Sequence, residues 1–304
     1  MDVRDRIIKF IKTLPDVVAC KAYGSSIGFQ SGYSKDEKKQ IDLIVVVDDI
    51  KKFYKDNLKK NSYMYNFIPR LYFTLASEKA LRGAAGICYT SHINYEGDTY
   101  KIGIIEKQDV LDDLLNWKTY YIAGRFQKEM FTAISDDEIE KAVLINRSNA
   151  ITIALILLNK EKPTIIDFYE SLCSLSYLGD TRKKLKAEDP NKVKKLATGS
   201  KDFFDEVYKK KTDLFKENKN GILEIDYDKV LKSIDKLPKK LKERLNKVKN
   251  GKDLEPLRKE IKEYLVEVTS SSSIGQTTKG ILTTGIVNSI DYAVQKLKKG
   301  RKKK

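Results

Sequence analysis

The chain has 304 residues, 41% of them hydrophobic, which suits a globular protein with more than one core and argues against a disordered segment. Lys and Arg outnumber Asp and Glu by 59 to 43, and the net charge of +16 favours partners that carry phosphate, although a lysine-biased genome explains the bulk of this charge equally well. Three widely spaced cysteines and a single histidine argue against a disulfide framework or a Cys/His metal cluster and predict free, mostly buried thiols.

The N-terminal stretch MDVRDRIIKFIKTLPD carries acids at Asp2 and Asp5 and has no long apolar core, so neither a signal peptide nor an organelle transit peptide is predicted. No later segment reaches the roughly 18 apolar residues that a spanning helix needs. We therefore expect a protein that is soluble or sits on a membrane surface.

Residues from about 3 to 128 alternate between helix and strand patterns, which predicts an α/β domain. A short amphipathic helix comes first. Strands are predicted at VVACKAYG, IDLIVVV, GICYTSHI and YKIGII, and helices at KKFYKDNLKKN and DVLDDLLNWKTYYIAGRFQ.

Residues from about 135 to 265 have helical periodicity throughout. The nearly all-apolar segment AITIALILLN predicts a buried core helix, and Gly199, Gly221 and Gly251 are the expected breaks.

The composition changes again from about residue 266. Five apolar residues recur at intervals of three or four and form one stripe: Leu282, Ile286, Ile290, Ala293 and Leu297. A cluster of Lys and Arg residues lies at the end of this stripe. This pattern predicts a basic amphipathic helix that lies in an anionic bilayer surface. The alternative is a helix packed on the protein with a disordered basic end.

A Gly-Ser turn precedes a strand that begins with an acid. Gly24 allows close approach of a ligand because it lacks a Cβ atom, Ser25 and Ser26 offer donors, and Asp42 supplies a carboxylate for Mg²⁺. Nucleotidyltransferases hold a nucleoside triphosphate in this way, although an ordinary turn between two strands is the alternative interpretation. No second acid lies two residues from Asp42, so other metal ligands would come from phosphate, water and a more distant acid.

Several longer motifs in the chain resemble one family. PDVVACKAYGSSIGFQ, IDLIVVVDD, NLKKN, DDLLNWKTYYIAGRFQK, SLSYLGDTRK and SSIGQTTKGILTTG occur in order from about residue 15 to 285 and together are similar to the Tam41/Mmp37 family of CTP:phosphatidate cytidylyltransferases. The spacing of the fourth and fifth motifs is the most specific part of this resemblance.

The resemblance implies a three-part architecture and an activity. It implies an α/β nucleotidyltransferase domain with a mixed sheet at 1–132, a mostly helical, winged-helix-like domain at 133–265, and a basic amphipathic tail at 266–304 that binds an anionic membrane through residues 281–304. The implied activity is the formation of CDP-diacylglycerol and pyrophosphate from CTP and phosphatidate with Mg²⁺ as cofactor. Nucleic acid is not an expected partner.

The resemblance also assigns residues. The turn motif falls on Tyr23, Gly24, Ser25 and Gln30, next to the donor Ser26, and the metal-binding acid falls on Asp42. Cations that would neutralise phosphate charge fall on Lys101, Lys118, Arg125, Lys128 and Arg182. The family motif KYG appears here as KIG, in which Lys101 is retained.

Four further expectations concern single residues or pairs. Arg125 and Lys128 are expected to share one helix face and act together. Asp180 either caps the following helix or reaches the cleft as a metal or ribose ligand. Trp117 is expected to be a core anchor more than a base-stacking platform, and His92 to be structural or exposed.

Two other functions stay open at the level of sequence. The same turn, acid and positive charge suit a nucleotidyltransferase that acts on RNA, although few aromatic residues interleave with the basic runs. The missing second strand acid also allows a nucleotide-binding assembly protein without catalytic activity.

The absence of a visible presequence predicts a bacterial relative, peripheral on the inner face of the membrane, or a mitochondrial matrix protein trimmed of its leader.

Overall fold

The computed structural model describes residues 2–24, 40–83, 85–178 and 191–284, with side chains as far as residue 270. Its N-terminal part alternates helices and strands, as the sequence predicts. The elements are α1 (Val3–Ile11), β1 (Ala19–Tyr23), β2 (Ile41–Val47), α2 (Ile50–Lys60), α3 (Phe67–Leu75), α4 (Glu78–Arg82), β3 (Ile87–Tyr95), β4 (Asp98–Glu106), α5 (Lys107–Asn116), α6 (Ala123–Phe126) and β5 (Phe131–Ile134).

The five strands form one mixed sheet in the order β3-β4-β2-β1-β5. Strand β2 pairs antiparallel with β1 and parallel with β4, and the β3 and β5 edges are both antiparallel to their neighbours. The prediction of a mixed sheet that carries 41–47 beside β1 is therefore confirmed.

Helices cover both faces of this sheet because side chains alternate along each strand. Leu43 and Val45 of β2 pack with Phe10 of α1 and Phe53 of α2 on one face. Residues of opposite parity on β2, such as Ile44, pack on the other face with α5, α6 and the start of the next long helix. The sheet is thus buried on both sides, which explains its nearly continuous apolar strands.

The C-terminal part is mainly helical, as predicted, with one small hairpin that the sequence analysis missed. Its elements are α7 (Asp137–Leu157), α8 (Ile165–Ser174), α9 (Lys192–Gly199), α10 (Lys201–Val207), β6 (Phe215–Glu217), β7 (Leu223–Ile225), α11 (Tyr227–Ser233), α12 (Lys239–Val248) and α13 (Glu255–Thr284). Residues 150–157 of the segment AITIALILLN lie in α7 and are almost all buried, which confirms the prediction of a buried core helix. Gly199 ends α9, and Gly221 and Gly251 occupy turns with positive φ, so all three predicted breaks are confirmed.

Helix α13 runs without a break across position 265 and lies beside α3 and β3. The apolar stripe begins at Leu282 near the end of this helix, where side chains are outside the description, and its other members lie beyond the described residues. Within the described ranges, no helix has the length and apolarity needed to cross a bilayer. The boundaries at 132 and 265 stay predictions.

One predicted helix is wrong. The segment 109–127 is not a single helix, because α5 ends at Asn116 and Trp117 takes a left-handed conformation with φ 50° and ψ 44°. The chain resumes helical structure only in the four-residue α6. Consequently Arg125 and Lys128 do not share a helix face, since α6 ends before Lys128.

Candidate active site

Three side chains form a row across the sheet, one on each of three adjacent strands. Tyr23 at the end of β1 pairs in register with Asp42 on β2, and Asp42 pairs in register with Lys101 on β4. In-register neighbours project from the same face of a sheet. A phenol, a carboxylate and an ammonium group are therefore presented side by side.

Gly24 follows this row with φ +90°, a conformation that residues with a Cβ atom rarely adopt. A Cβ atom at this position would lie 3.3 Å from Oδ2 of Asp42. The glycine therefore keeps a side chain away from the carboxylate.

Arg125 approaches the row from α6 among aromatic rings. Its guanidinium carbon lies 3.7 Å from the centroid of the Tyr121 ring and 6.0 Å from that of Tyr23, and Nη1 donates a 2.7 Å hydrogen bond to the Tyr121 carbonyl. Burial alone would lower the pKa of Arg125, but the phenolic groups of Tyr121, Tyr89 and Tyr23 raise it above its ordinary value. The site thus contains a permanent, partly desolvated cation.

Tyr89 on β3 joins the same cluster. Its ring lies 4.5 Å from Nζ of Lys101, and its hydroxyl is 3.4 Å from that of Tyr23. Burial raises the pKa of Tyr23, with Asp42 adding to the rise while Lys101 and Arg125 oppose it. Tyr23 therefore stays protonated at neutral pH and can donate a hydrogen bond.

The turn that delivers Arg125 is held by one buried carboxylate. Asp113 is 3% exposed, and its Oδ1 accepts hydrogen bonds from the backbone of Thr119 and Tyr120 at 2.6 and 2.8 Å. Its Oδ2 accepts from the backbone of Ile122 and Ala123 at 2.7 and 3.0 Å. These four bonds replace helical ones, which is the physical reason that α5 does not continue.

Trp117 is fully buried, as predicted for a core anchor, and begins a polar network beneath the turn. Its Nε1 donates to Oδ1 of Asn146 at 2.9 Å, and Nε2 of Gln127 donates to the same oxygen at 2.9 Å. Oε1 of Gln127 in turn accepts from the Tyr120 hydroxyl at 2.7 Å. Gln127 therefore stabilises the turn and is not presented to a ligand.

The two most specific motifs of the sequence meet in space. Lys128 donates to Oγ of Ser176 at 2.6 Å, and its Nζ lies 4.3 Å from the centroid of the Tyr177 ring. A Cβ atom on Gly124 would lie 2.8 Å from Cβ of Ser176, so only glycine allows this close packing. Lys128 thus contacts the segment that leads to Asp180, whereas Arg125 faces the strand row.

Lys118 belongs to a different cavity. A pocket of about 490 Å³ lies between α4, the start of β3 and the α5 turn, and is lined by Lys118, Arg82 and Asp109 among others. Nζ of Lys118 is 3.5 Å from Oδ2 of Asp112. The structure therefore does not bring Lys118 to the Asp42 row.

Five predicted site residues lie outside the described ranges: Ser25, Ser26, Gln30, Asp180 and Arg182. Their assignments stay predictions. His92 is exposed, with φ 60°, where the β3 register shifts, and this confirms the expectation that it is structural or exposed. All three cysteines are free and buried, as predicted.

The residues around Asp42 suit Mg²⁺ held together with a substrate. Among the side chains that the structure describes, no three His, Cys, Asp or Glu residues gather as a metal site. Magnesium commonly keeps several waters and binds one or two carboxylates plus substrate phosphates, so a single strand acid is sufficient. The space that Gly24 leaves beside Asp42 would admit those phosphates.

Sequence reasoning missed three residues of this arrangement: Tyr89, Tyr121 and Asp113. Tyr121 was visible inside the specific motif NWKTYYIAGRFQK, whereas Tyr89 resembles an ordinary strand residue. Asp113 resembles one of two solvated helix acids, and only its later hydrogen bonds distinguish it from Asp112.

Comparison with known proteins places this sequence in a family. The profile of the Tam41/Mmp37 family, described as "Phosphatidate cytidylyltransferase, mitochondrial", matches residues 7–299. A relative of that name from Schizosaccharomyces pombe is 31% identical over 97% of this chain and 82% of its own length. Relatives of the same name from Saccharomyces cerevisiae and Bos taurus are 32% and 30% identical, over 92% and 91% of this chain and 66% and 89% of their own lengths. The match covers the strand row, the Asp113 turn and the Ser176 segment alike, and the chain belongs to the Tam41/Mmp37 family.

Proposed function

We propose that this protein is a phosphatidate cytidylyltransferase that makes CDP-diacylglycerol and pyrophosphate from CTP and phosphatidate. Family membership and the names of the relatives support this activity. The observation that carries it is the in-register row of Tyr23, Asp42 and Lys101 with Arg125 above it. Such a site combines one acid for a metal with two cations for phosphate charge.

The mixed sheet would then be a nucleotidyltransferase fold, and the helical part with its β6-β7 hairpin would be winged-helix-like. Both assignments come from the family resemblance. The position of Asp42 on a strand directly beside the glycine turn supports the first of them.

Asp42 would hold Mg²⁺ against the triphosphate of CTP, beside the turn at Gly24. When bound, the ion neutralises phosphate charge and orients the triphosphate. The preference for CTP over other nucleotides is taken from the family.

The chemical step needs no protein base. A phosphate monoester has a second pKa of about 6 and is mostly dianionic at neutral pH, so an oxygen of phosphatidate can attack the α-phosphorus of CTP. A new P–O bond forms there, the bond to the β-phosphate oxygen breaks, and pyrophosphate leaves with the electron pair. Positioning and charge neutralisation are then the main tasks of the protein.

The residues around the row can perform these tasks. Arg125 is charged at neutral pH, as every guanidinium in a protein is, and its planar group can bind two phosphate oxygens at once. Lys101 is a compact cation beside Asp42, and protonated Tyr23 can donate to a phosphate oxygen. Lys128 lies with Ser176 and Tyr177, where it would bind a phosphate that enters from that side.

Residues 281–304 would bind the protein to an anionic membrane, in which the substrate lipid resides. The apolar stripe and the basic cluster of this segment support the proposal. Localisation on the inner face of a membrane follows from the same reasoning, and the relatives are named as mitochondrial proteins.

Label transfer from CTP tests the activity. The protein is incubated with α-labelled CTP, Mg²⁺ and either phosphatidate vesicles or RNA. We expect label in CDP-diacylglycerol and none in RNA. Labelled RNA would favour the RNA nucleotidyltransferase, and CTP binding without any transfer would favour a nucleotide-binding assembly protein.

A further inference from the structure

Helix α3 exposes a row of large apolar side chains. Phe67, Ile68, Leu71 and Leu75 are 77%, 49%, 49% and 73% exposed, and the spacing of 67, 71 and 75 places three of them in one stripe. Tyr63, just before the helix, is 56% exposed. Five of the ten strongly exposed large apolar residues in the described part of the chain therefore lie within this one short stretch. Such clustering is typical of an interaction surface.

Two side chains outside the exposed row hold α3 in place. Phe73 is buried and stacks on Tyr54 of α2 with ring centroids 4.0 Å apart. Arg70 donates from its guanidinium to the carbonyls of Tyr65 and Ser62 at 2.9 and 2.7 Å. The helix therefore has a fixed orientation, and its exposed row is a built surface.

The sequence that surrounds this row is basic. Lys59, Lys60 and Arg70 lie in a stretch, 57–77, that contains no Asp or Glu. None of the three forms an ion pair with a carboxylate that the structure describes. The stretch thus combines exposed apolar side chains with three exposed cations that have no described ion-pair partner.

We propose that the exposed face of α3 docks on an anionic bilayer. Apolar side chains beside Lys and Arg are the pattern by which interfacial helices insert between acidic headgroups. A second copy of the chain or the lysine-rich end of its own tail would bring like charges against Lys59 and Lys60, which opposes either occupant. The inference rests on the proposed function, because a bilayer-resident substrate requires the enzyme to bind the membrane surface.

The α3 surface is separate from the chemistry but close to the predicted anchor. Its buried residues pack on the sheet face opposite the one that carries Ile44 and the Asp42 row. Helix α13, which leads into the predicted tail, lies beside α3. Two docking elements on neighbouring helices would fix the orientation of the protein on the bilayer, which one helix cannot do alone.

A triple variant of the full chain, Phe67→Gln, Leu71→Gln and Leu75→Gln, tests the docking surface. Leu144→Gln with Ile145→Gln is the matched control, because both residues are exposed apolar residues on α7. Binding to phosphatidylcholine vesicles with and without phosphatidylglycerol is measured by co-sedimentation. We expect the triple variant to bind anionic vesicles about tenfold more weakly than wild type and the control to bind like wild type.

Activity on two forms of the substrate separates this inference from the proposed function. The triple variant should lose about tenfold activity on vesicle-embedded phosphatidate and keep full activity on a short-chain, water-soluble phosphatidate. If wild type transfers no label to either substrate, the proposed function fails, whereas vesicle binding still decides the role of α3. Unchanged vesicle binding by the triple variant would overturn the docking proposal.

A Phe67→Trp variant makes the test independent of any loss of folding. The single native tryptophan, Trp117, is fully buried, so quenching by lipids with brominated acyl chains reports only the introduced indole. We expect strong quenching for Phe67→Trp and little for Leu144→Trp. Equal, weak quenching in both would contradict insertion, and a wild-type dimer that the triple variant abolishes would assign the face to a second copy instead.

Discussion

The Asp42 row and the Asp113 turn supply the same candidate site by different means. The row uses ordinary strand pairing, so Tyr23, Asp42 and Lys101 reach one face by register alone. The turn needs two residues at positive φ, Trp117 and Tyr120, and a buried carboxylate that accepts hydrogen bonds from the backbone between Thr119 and Ala123. Strand residues of a motif therefore remain available for chemistry, whereas most turn residues are committed to holding one arginine in place.

The largest expected effect is a loss of activity that distinguishes Asp42 of the row from Asp113 of the turn. Asp42→Asn should lower turnover about 10³-fold, because it removes the negative charge of the acid proposed to hold the metal, while the free energy of unfolding changes by less than about 1 kcal/mol. Steady-state kinetics and chemical denaturation of the same sample measure both quantities. Turnover within a few-fold of wild type would exclude the metal role of Asp42, and the row could then not be assigned to chemistry.

The next largest effect distinguishes Asp113 from Asp42 by a loss of unfolding free energy. Asp113→Ala should lower the free energy of unfolding by about 3 to 4 kcal/mol, because it leaves several buried N–H groups without an acceptor. Asp112→Ala is the matched control on the same helix, where the carboxylate makes only partly exposed contacts, and it should cost less than about 1 kcal/mol. Urea denaturation of both variants checks this, and equal losses would show that Asp113 has no special role.

Two glycines with similar backbone angles test whether the space beside Asp42 is needed for activity. Gly24 and Gly97 have φ +90° and +85°, so alanine at either should cost about 1 to 2 kcal/mol of stability. Only Gly24→Ala places a methyl group near Asp42, because no atom lies within 4 Å of a Cβ at Gly97. We expect kcat/KM to fall about 100-fold for Gly24→Ala and to stay unchanged for Gly97→Ala. A comparable loss of activity in both variants would attribute it to destabilisation.

The smallest expected effect is a pH dependence of the turn. The Tyr264 hydroxyl donates to the Trp117 carbonyl at 3.4 Å, and burial raises the pKa of Tyr264 to about 12 from an ordinary value of 10.0. The unfolded chain therefore loses this proton first, and the stabilising contribution, complete below pH 10, is lost between pH 10 and 12. Tyr264→Phe should reduce the loss of unfolding free energy across that range by about 1 to 2 kcal/mol without changing activity at neutral pH. Denaturation curves at several pH values measure it, and an unchanged slope would contradict it.

Sequence patterns predicted the row better than the turn, for a physical reason. Apolar runs such as IDLIVVV specify a buried strand locally, so Asp42 could be placed at a strand start without knowing its partners. The segment 109–127 has helical periodicity, and its break depends on hydrogen bonds that Asp113 accepts from backbone N–H groups up to ten positions away. The edge strand β5 and the hairpin β6-β7 were missed because each is only three or four residues long. Arg125 and Lys128 have different positions because Arg125 packs on Tyr121 and Lys128 bonds to Ser176. Spacing along the sequence cannot reveal these contacts.

The burial of Trp117 affects how the protein unfolds. Its ring, with Tyr120 and Ala123, belongs to the core of the helical part although these residues precede position 132. A fragment that ends at 132 would leave a tryptophan and a tyrosine ring in water, and the remainder would contain a hole where they had been. The two parts should therefore melt in one cooperative transition, and the fluorescence of this one indole should follow the whole chain rather than half of it.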